Sequence, residues 1–567
     1  MKKILLYLII FSMLLSLSSC ANNGGTNNGG GNNATSENPT TLVVGVLEMS
    51  GNFSPLYYSS TYDGYVIDLV YETLLKRNYD GELVPSLAKD YAYSDDGKSI
   101  TFTLREDAKY SDGTNVTAKD IEFSYLILSD KSYTGRFGSY AQDLVGYKEY
   151  NSGSTDKLAG IEVPNDYTIT FHFKDAYRTN LENCLMPAIP RHIYPDFKQG
   201  DTSSIEDNTN RPIGSGPYML KEFKGKEYAS LTKNPNYAGT GYEIQNIIMK
   251  FVDTTTDITA LTTGEVSMLL GIVEPEKIAA ARANGNLTYN EYQRSGYGYI
   301  RFNCESGATS DKAVRQALYR SFNIEEFVNS YFYDKEADAL LASTQYHPFS
   351  QVSWVIDDKL LSELPDFSFN MEEAKKMLDD AGWKVGPSGF REKNGQILEL
   401  KIAAIPDHDI LQTLIPMWER DWGQALKCKL SVAYLEFNTL SDYVIYNSDA
   451  NVNNWSMYFM ATSITSPDPD ALYNTYHSSM IGSGKDNTMR YKNPTVDKML
   501  DEGKGIMDIE EAKVYYRDLV KIITEDAAII PVYTNTYFDL YSKNITDFKT
   551  NSFYPWTSAL QNTRIVK

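Results

Sequence analysis

The chain is 567 residues long, with 42% apolar, 22% charged and 13% aromatic residues, the composition of a folded globular protein and not of a disordered or fibrous one. At roughly 100–200 residues per domain, that length makes about three or four domain-sized bodies. Its 74 acidic and 53 basic residues leave a formal charge of −21, which repels phosphate backbones and argues against general nucleic-acid binding.

In chain order, Lys2 and Lys3 precede a nearly unbroken apolar stretch from Ile4 to Leu17. This is the charge-then-apolar layout of a secretory signal, read as residues 1–19 and too short to span a bilayer comfortably. It ends in Leu17-Ser18-Ser19-Cys20, which resembles the bacterial lipobox, where the cysteine is lipidated before cleavage. The resemblance implies a lipid anchor on Cys20, and more than one acyl chain there gives stable attachment. Residues 20–40, rich in Asn and Gly and nearly without apolar side chains, read as a flexible tether. Once Cys20 carries lipid, Cys184, Cys304 and Cys428 remain, and three cannot all pair. Buried free thiols are expected, with one disulfide left open; the absence of any CxxC gives no support to a zinc ribbon or thioredoxin-type chemistry.

From Leu42 strand-like and helix-like stretches alternate, which predicts a mixed α/β protein. Leu42 to Leu47 suits a buried strand. Ser99 to Leu104 alternates with period two, so Ile100, Phe102 and Leu104 share one buried face, and Tyr167–Phe173 and Leu398–Ile402 repeat the pattern. Thr117 with Asp120 forms a capping box ahead of Ile121–Leu128. Asp311 caps a helix that turns Val314, Ala317 and Leu318 inward. Asn370 with Glu373 opens another, with Met371, Ala374 and Leu378 inward and Gly382 as its stop. No fixed-period repeat occurs, which removes solenoids and propellers.

Catalytic chemistry is hard to find. The five histidines, His172, His192, His347, His408 and His477, are scattered, and there is no HExxH, Walker loop, GxSxG elbow or EF-hand loop. Ser154-Thr155-Asp156-Lys157 matches SxxK but sits in a polar Gly-Ser segment. Asp468-Pro469-Asp470 reads as a turn sooner than as a metal or acid/base pair. No cofactor and no metal is expected.

Several segments together resemble the peptide- and nickel-binding family of ABC-importer solute-binding proteins, family 5. The strongest runs from Ile100-Thr101-Phe102-Thr103-Leu104-Arg105 through Tyr110-Ser111-Asp112-Gly113 to Thr117-Ala118-Lys119-Asp120-Ile121-Glu122-Phe123-Ser124. In the family's order follow Gly214-Ser215-Gly216-Pro217-Tyr218, Asn234-Pro235-Asn236-Tyr237, Leu261–Val266, Val314–Leu318, Ala374–Leu378 with Ala381-Gly382-Trp383, Pro467–Asp470, and Tyr491–Asp497. The resemblance implies an α/β, two-lobed, periplasmic-binding-protein-like fold (type II, large) with a ligand cleft between the lobes. Lobe I would take 41–66, 200–299 and 528–567, with an accessory domain inserted at 67–199, and lobe II would run from 300 to 527. It further implies a non-enzymatic, monomeric binding protein that captures a solute by hinge closure and hands it to membrane permease subunits. Its place would be the outer face of the cytoplasmic membrane, on the periplasmic side if the cell has two membranes.

Oligopeptides are the first ligand class implied, with oligosaccharides or another solute such as a nickel chelate as alternatives; a membrane-anchored hydrolase or a structural lipoprotein is more remote. Peptide-binding relatives carry a Trp and an amine-binding Asp before the Asp-Pro turn, and here those positions fall on Thr462 and Thr465. A hydroxyl accepts a hydrogen bond but supplies no charge to an ammonium group. Trp455 and Tyr458 could supply a stacking surface. Ser50, Gly51, Asn52 and Phe53 fall on the family's cleft-lining loop, and Tyr299 and Asn303 at the crossing into lobe II. The 43 tyrosines keep a sugar ligand in view, because aromatic faces pack on sugar rings.

Overall fold

The run beginning at Leu42 forms the strand Thr41–Val46, in which Leu42 and Val44 have no exposed surface. The computed structural model describes residues 40–566 apart from 336–338, 407 and 465; the signal, Cys20 and the expected site residue Thr465 lie outside the described residues. Local chemistry sets the other expected elements in the same way. In Ser99–Leu104 the side chains of Ile100, Phe102 and Leu104 are buried on one face of a four-stranded sheet, ordered Ala88–Tyr93, Ser99–Leu104, Thr168–His172, Ile161–Asn165. The capping box at Thr117 and Asp120 starts the helix Ala118–Leu128. The Asp311 carboxylate accepts from the Ala313 N–H at 3.0 Å, and the Asn370 side chain from that of Glu373 at 3.0 Å. Behind these caps Val314, Ala317, Leu318, Ala374 and Leu378 are fully buried, whereas Met371 is half-buried at the core's edge. Gly382, at φ +86°, ends the second of these helices. Cys184, Cys304 and Cys428 are all free thiols.

A twelve-stranded mixed sheet system runs through the molecule, and one strand organises it. Ile529–Ser542 is 14 residues long. Its first half pairs antiparallel with Gly296–Phe302 and Ala342–Thr344. Its second half pairs with Leu287–Gln293 and Met268–Ile272. The apolar cores divide at the same place: Ile530, Val532 and Tyr533 belong to one, Phe538 and Leu540 to another. The fold is therefore two-lobed, and two antiparallel chains, 287–302 and 529–542, cross between the lobes. Arg294 and Ser295 stand at the crossing, between Leu287–Gln293 and Gly296–Phe302.

The segment Gly214-Ser215-Gly216 shows why glycine is needed there. A Cβ on Gly214 would lie 2.0 Å from the Val70 carbonyl oxygen, and one on Gly216 would lie 2.7 Å from that of Leu69. Both obstacles are backbone at the end of the helix Thr61–Val70, so neither can rotate away. Gly214→Ala is expected to cost about 1–3 kcal/mol, the usual range for overpacking, read as a lower urea midpoint at unchanged slope.

Candidate functional site

At the crossing between the lobes lies a cavity of about 560 Å³, within the range of small-ligand sites. Its walls come from elements distant in sequence. Tyr65 and Asp68 project from the helix Thr61–Val70, Leu270 and Gly271 from Met268–Ile272, Tyr537 and Asp539 from the long strand, and Trp556 from the helix Trp556–Ala559. Arg294, Ser295, Ser463 and Ile464 close the side toward lobe II. Edge-to-face packing stiffens the aromatic wall, with Tyr65 at 5.5 Å from Trp556 and Tyr292 at 5.9 Å from Tyr537.

The charges in this wall are unusual. Asp539 is 1% exposed and accepts from the Gly271 N–H at 2.8 Å and the Thr550 hydroxyl at 2.5 Å. Burial pushes its carboxyl up to about 6, against the opposing pull of these hydrogen bonds. Asp68 accepts from the Thr557 hydroxyl at 3.2 Å. Its exposed surface opens into the cavity, so protein still surrounds it, and desolvation likewise lifts its carboxyl to about 6. Among the described residues neither carboxylate has an ion-pair partner. Opposite in sign is Arg294, which donates to the Thr462 carbonyl at 3.0 Å and the Ser463 hydroxyl at 3.2 Å and lies 5.7 Å from the Tyr537 ring. It too forms no ion pair among the described residues. By contrast, the adjoining cavity of about 180 Å³, which shares Tyr65, Leu270 and Gly271, has its charges matched: Lys277 meets Asp257 at 2.7 Å and Glu274 at 3.2 Å.

A second contact joins the segment following the four-stranded sheet to lobe II. The five hydrogen bonds from the Arg178 guanidinium go to Asp468 Oδ2 and Oδ1 (both 2.7 Å), Asp470 Oδ1 (3.4 Å), and the carbonyls of Ile506 (2.7 Å) and Gly503 (3.4 Å). Trp354 and Tyr516 sandwich it at 5.4 and 5.5 Å. Burial, and then the neighbouring Asp468, raise the Asp470 carboxyl to about 6. The Asp468-Pro469-Asp470 turn is one turn of 3-10 helix capped by Asp468, and its carboxylates serve this contact. Among the described residues no three His, Cys, Asp or Glu side chains converge to hold a metal ion.

The residues singled out in sequence do not gather in the cavity. Ser50 and Gly51 donate to the Asp63 carboxylate, Asn52 donates to the Tyr57 carbonyl, and Phe53 is fully buried against Phe223 at 5.0 Å. Asn303 has no exposed surface and donates to the Val452 and Trp455 carbonyls. Trp455, Tyr458 and Tyr299 are packed edge-to-face in one buried apolar core, and the Tyr458 hydroxyl bonds that of Thr488 at 2.5 Å. Thr462 meets the site through its carbonyl, held by Arg294. Two of the groups that face the cavity, Asp68 and Asp539, carry one local signal, a charge set in an apolar or aromatic run; Arg294, between Gln293 and Ser295, carries none.

The model of the bacterial extracellular solute-binding proteins, family 5, matches residues 82–483. The oligopeptide-binding protein AppA of Bacillus subtilis is 26% identical over 494 residues, covering 86% of this chain and 84% of that one. Its structure with a nonapeptide superposes with a TM-score of 0.73 at 24% identity, over 94% of this chain and all of the other. The nickel-binding periplasmic protein of Escherichia coli is 26% identical over 473 residues, covering 82% and 83% of the two chains. The ABC transporter substrate-binding protein CtaP of Listeria monocytogenes superposes with a TM-score of 0.77 at 20% identity, over 94% of this chain and all of that one.

Proposed function

The chain belongs to the family 5 bacterial extracellular solute-binding proteins, and on that premise we propose that it is the capture subunit of an ABC importer for oligopeptides. It closes around its ligand by a hinge at 287–302 and 529–542 and presents it to permease subunits, held at the outer face of the cytoplasmic membrane by lipid on Cys20. Closure is favoured only by as much as the ligand binds the closed form better than the open one. The observation that carries the ligand class is the presence, in one cavity, of charges of both signs without ion-pair partners among the described residues, Asp68 and Asp539 against Arg294. A peptide brings an amine and a carboxylate to meet them, whereas a neutral sugar would leave them desolvated and unpaired. None of the five histidines lines the cavity, which favours a peptide over a metal chelate. The wall of Tyr65, Tyr292, Tyr537 and Trp556 supports an oligosaccharide as the second reading.

The test is a thermal-shift screen of the full chain in detergent against pooled short peptides and pooled oligosaccharides. A ligand at a hundred times its Kd adds about 2.7 kcal/mol of stability. Peptide pools are expected to raise Tm and sugar pools to leave it unchanged; the reverse result would replace the peptide reading with the sugar one.

A further inference from the structure

Asp68 and Arg294, cavity charges of opposite sign with no ion-pair partner among the described residues, are carried by segments far apart in the chain, and this gives a bound peptide a direction; the other cation lining the cavity, Arg77, is paired with Glu182. Arg294 sits at the end of the strand Met457–Ser463, fixed to the Thr462 carbonyl and the Ser463 hydroxyl. A fixed guanidinium repels an ammonium group brought beside it and attracts a carboxylate, bidentately where geometry allows. Asp68, on the helix Thr61–Val70, accepts a hydrogen bond from the Thr557 hydroxyl, which leaves acceptor capacity in the cavity that Tyr65 and Trp556 also line. Carboxylate plus aromatic face is a setting that stabilises an ammonium ion. Asp539 stands behind it as a second negative charge, already satisfied by Gly271 and Thr550.

Resting on the peptide reading above, we infer that the peptide binds with its amino terminus on Asp68 of the helix Thr61–Val70 and its carboxyl terminus on Arg294, at the end of the Met457–Ser463 strand.

Chemical caps on the ligand and single substitutions in the protein test the direction together. The probes are free, N-acetylated and C-amidated forms of a peptide found in the screen, titrated calorimetrically into wild type, Asp68→Asn and Arg294→Gln. Wild type is expected to lose at least tenfold in affinity for each capped form. Asp68→Asn should no longer distinguish acetylated from free peptide while still rejecting the amide, and Arg294→Gln should show the converse. Arg294→Lys, which keeps the charge, should retain rejection of the amide, separating loss of the charge from a disturbed strand end. The inference is overturned if the two losses are exchanged between variants, or if wild type binds both capped forms as well as the free one. In either case peptide binding itself survives. Binding of no peptide by wild type is a different result, which removes the peptide reading and this inference with it.

Discussion

Replacing Arg178 by alanine is expected to weaken ligand affinity about 30- to 100-fold, mostly through faster release. The guanidinium places all five of its hydrogen bonds on Asp468, Asp470 and the carbonyls of Gly503 and Ile506, with Trp354 and Tyr516 on either side. Truncating one partner of such a buried pair costs about 2–5 kcal/mol, much of it from the charge left behind. Here two adjacent carboxylates are left, one already disfavoured by burial. In an open form they would regain water, so the cost falls on closure, and about 2–3 kcal/mol is the share expected in Kd at 1.4 kcal/mol per tenfold. Calorimetry with a peptide from the screen measures it, and an Arg178→Ala/Asp468→Asn double variant should recover part of the loss. Unchanged affinity in the single variant would show that this contact plays no part in holding the closed form.

The second large effect is on stability as a function of pH. Asp539 has a carboxyl raised by burial from the ordinary 3.8 to about 6. A raised carboxyl means the folded protein binds the proton more tightly than the unfolded chain, so the ionised group costs stability. That cost is absent below about pH 4 and grows as pH rises to about 6. At 1.36 kcal/mol per pKa unit it comes to about 3 kcal/mol at pH 7, with roughly half gone at pH 5. Asp539→Asn removes it. Buried His347 works in the other direction: its pKa is lowered by burial to about 4, so the folded state loses stability as pH falls below about 6.5. The measurement is therefore the difference in urea unfolding free energy between Asp539→Asn and wild type at pH 7, 5.5 and 4.5, in which His347 cancels. The difference should shift toward wild type as pH falls; a pH-independent difference would mean that Asp539 titrates normally.

How far these features could be read in the sequence follows from the range of the forces that make them. Asp311, Asn370 and the Thr117–Asp120 box cap their helices through atoms two or three residues away, and the alternation in Ser99–Leu104 is a property of six consecutive residues. Local spacing is sufficient for such elements. The cavity is different, because Asp68, Arg294 and Asp539 meet only once the whole chain has folded. The two carboxylates still left a trace. Asp68 interrupts Val66-Ile67-Leu69-Val70, and Asp539 interrupts Tyr537-Phe538-Leu540-Tyr541, places where an unpaired charge costs free energy and so asks for a reason. Trp455 and Tyr458 stood out as aromatic residues near the Asp-Pro turn, but burying large rings is first of all how cores are built, and that is where both are found. Gly51 reads as part of a loop for a sound reason, its φ of +83°, yet that loop is tied down by Asp63 and Phe223 and does not line the cavity.

The strand Ile529–Ser542 also decides when the molecule can fold. It lies inside the sheet of both lobes, yet it is made hundreds of residues after the strands at Thr41–Val46 and Met268–Ile272. Until it arrives, each lobe has a slot in place of a strand, with unpaired backbone on both sides. The two lobes therefore finish together, and the closing step joins segments far apart in the chain, which is slow. A chain lacking this strand would lose both lobes at once, and neither lobe is complete until Ser542 has been added.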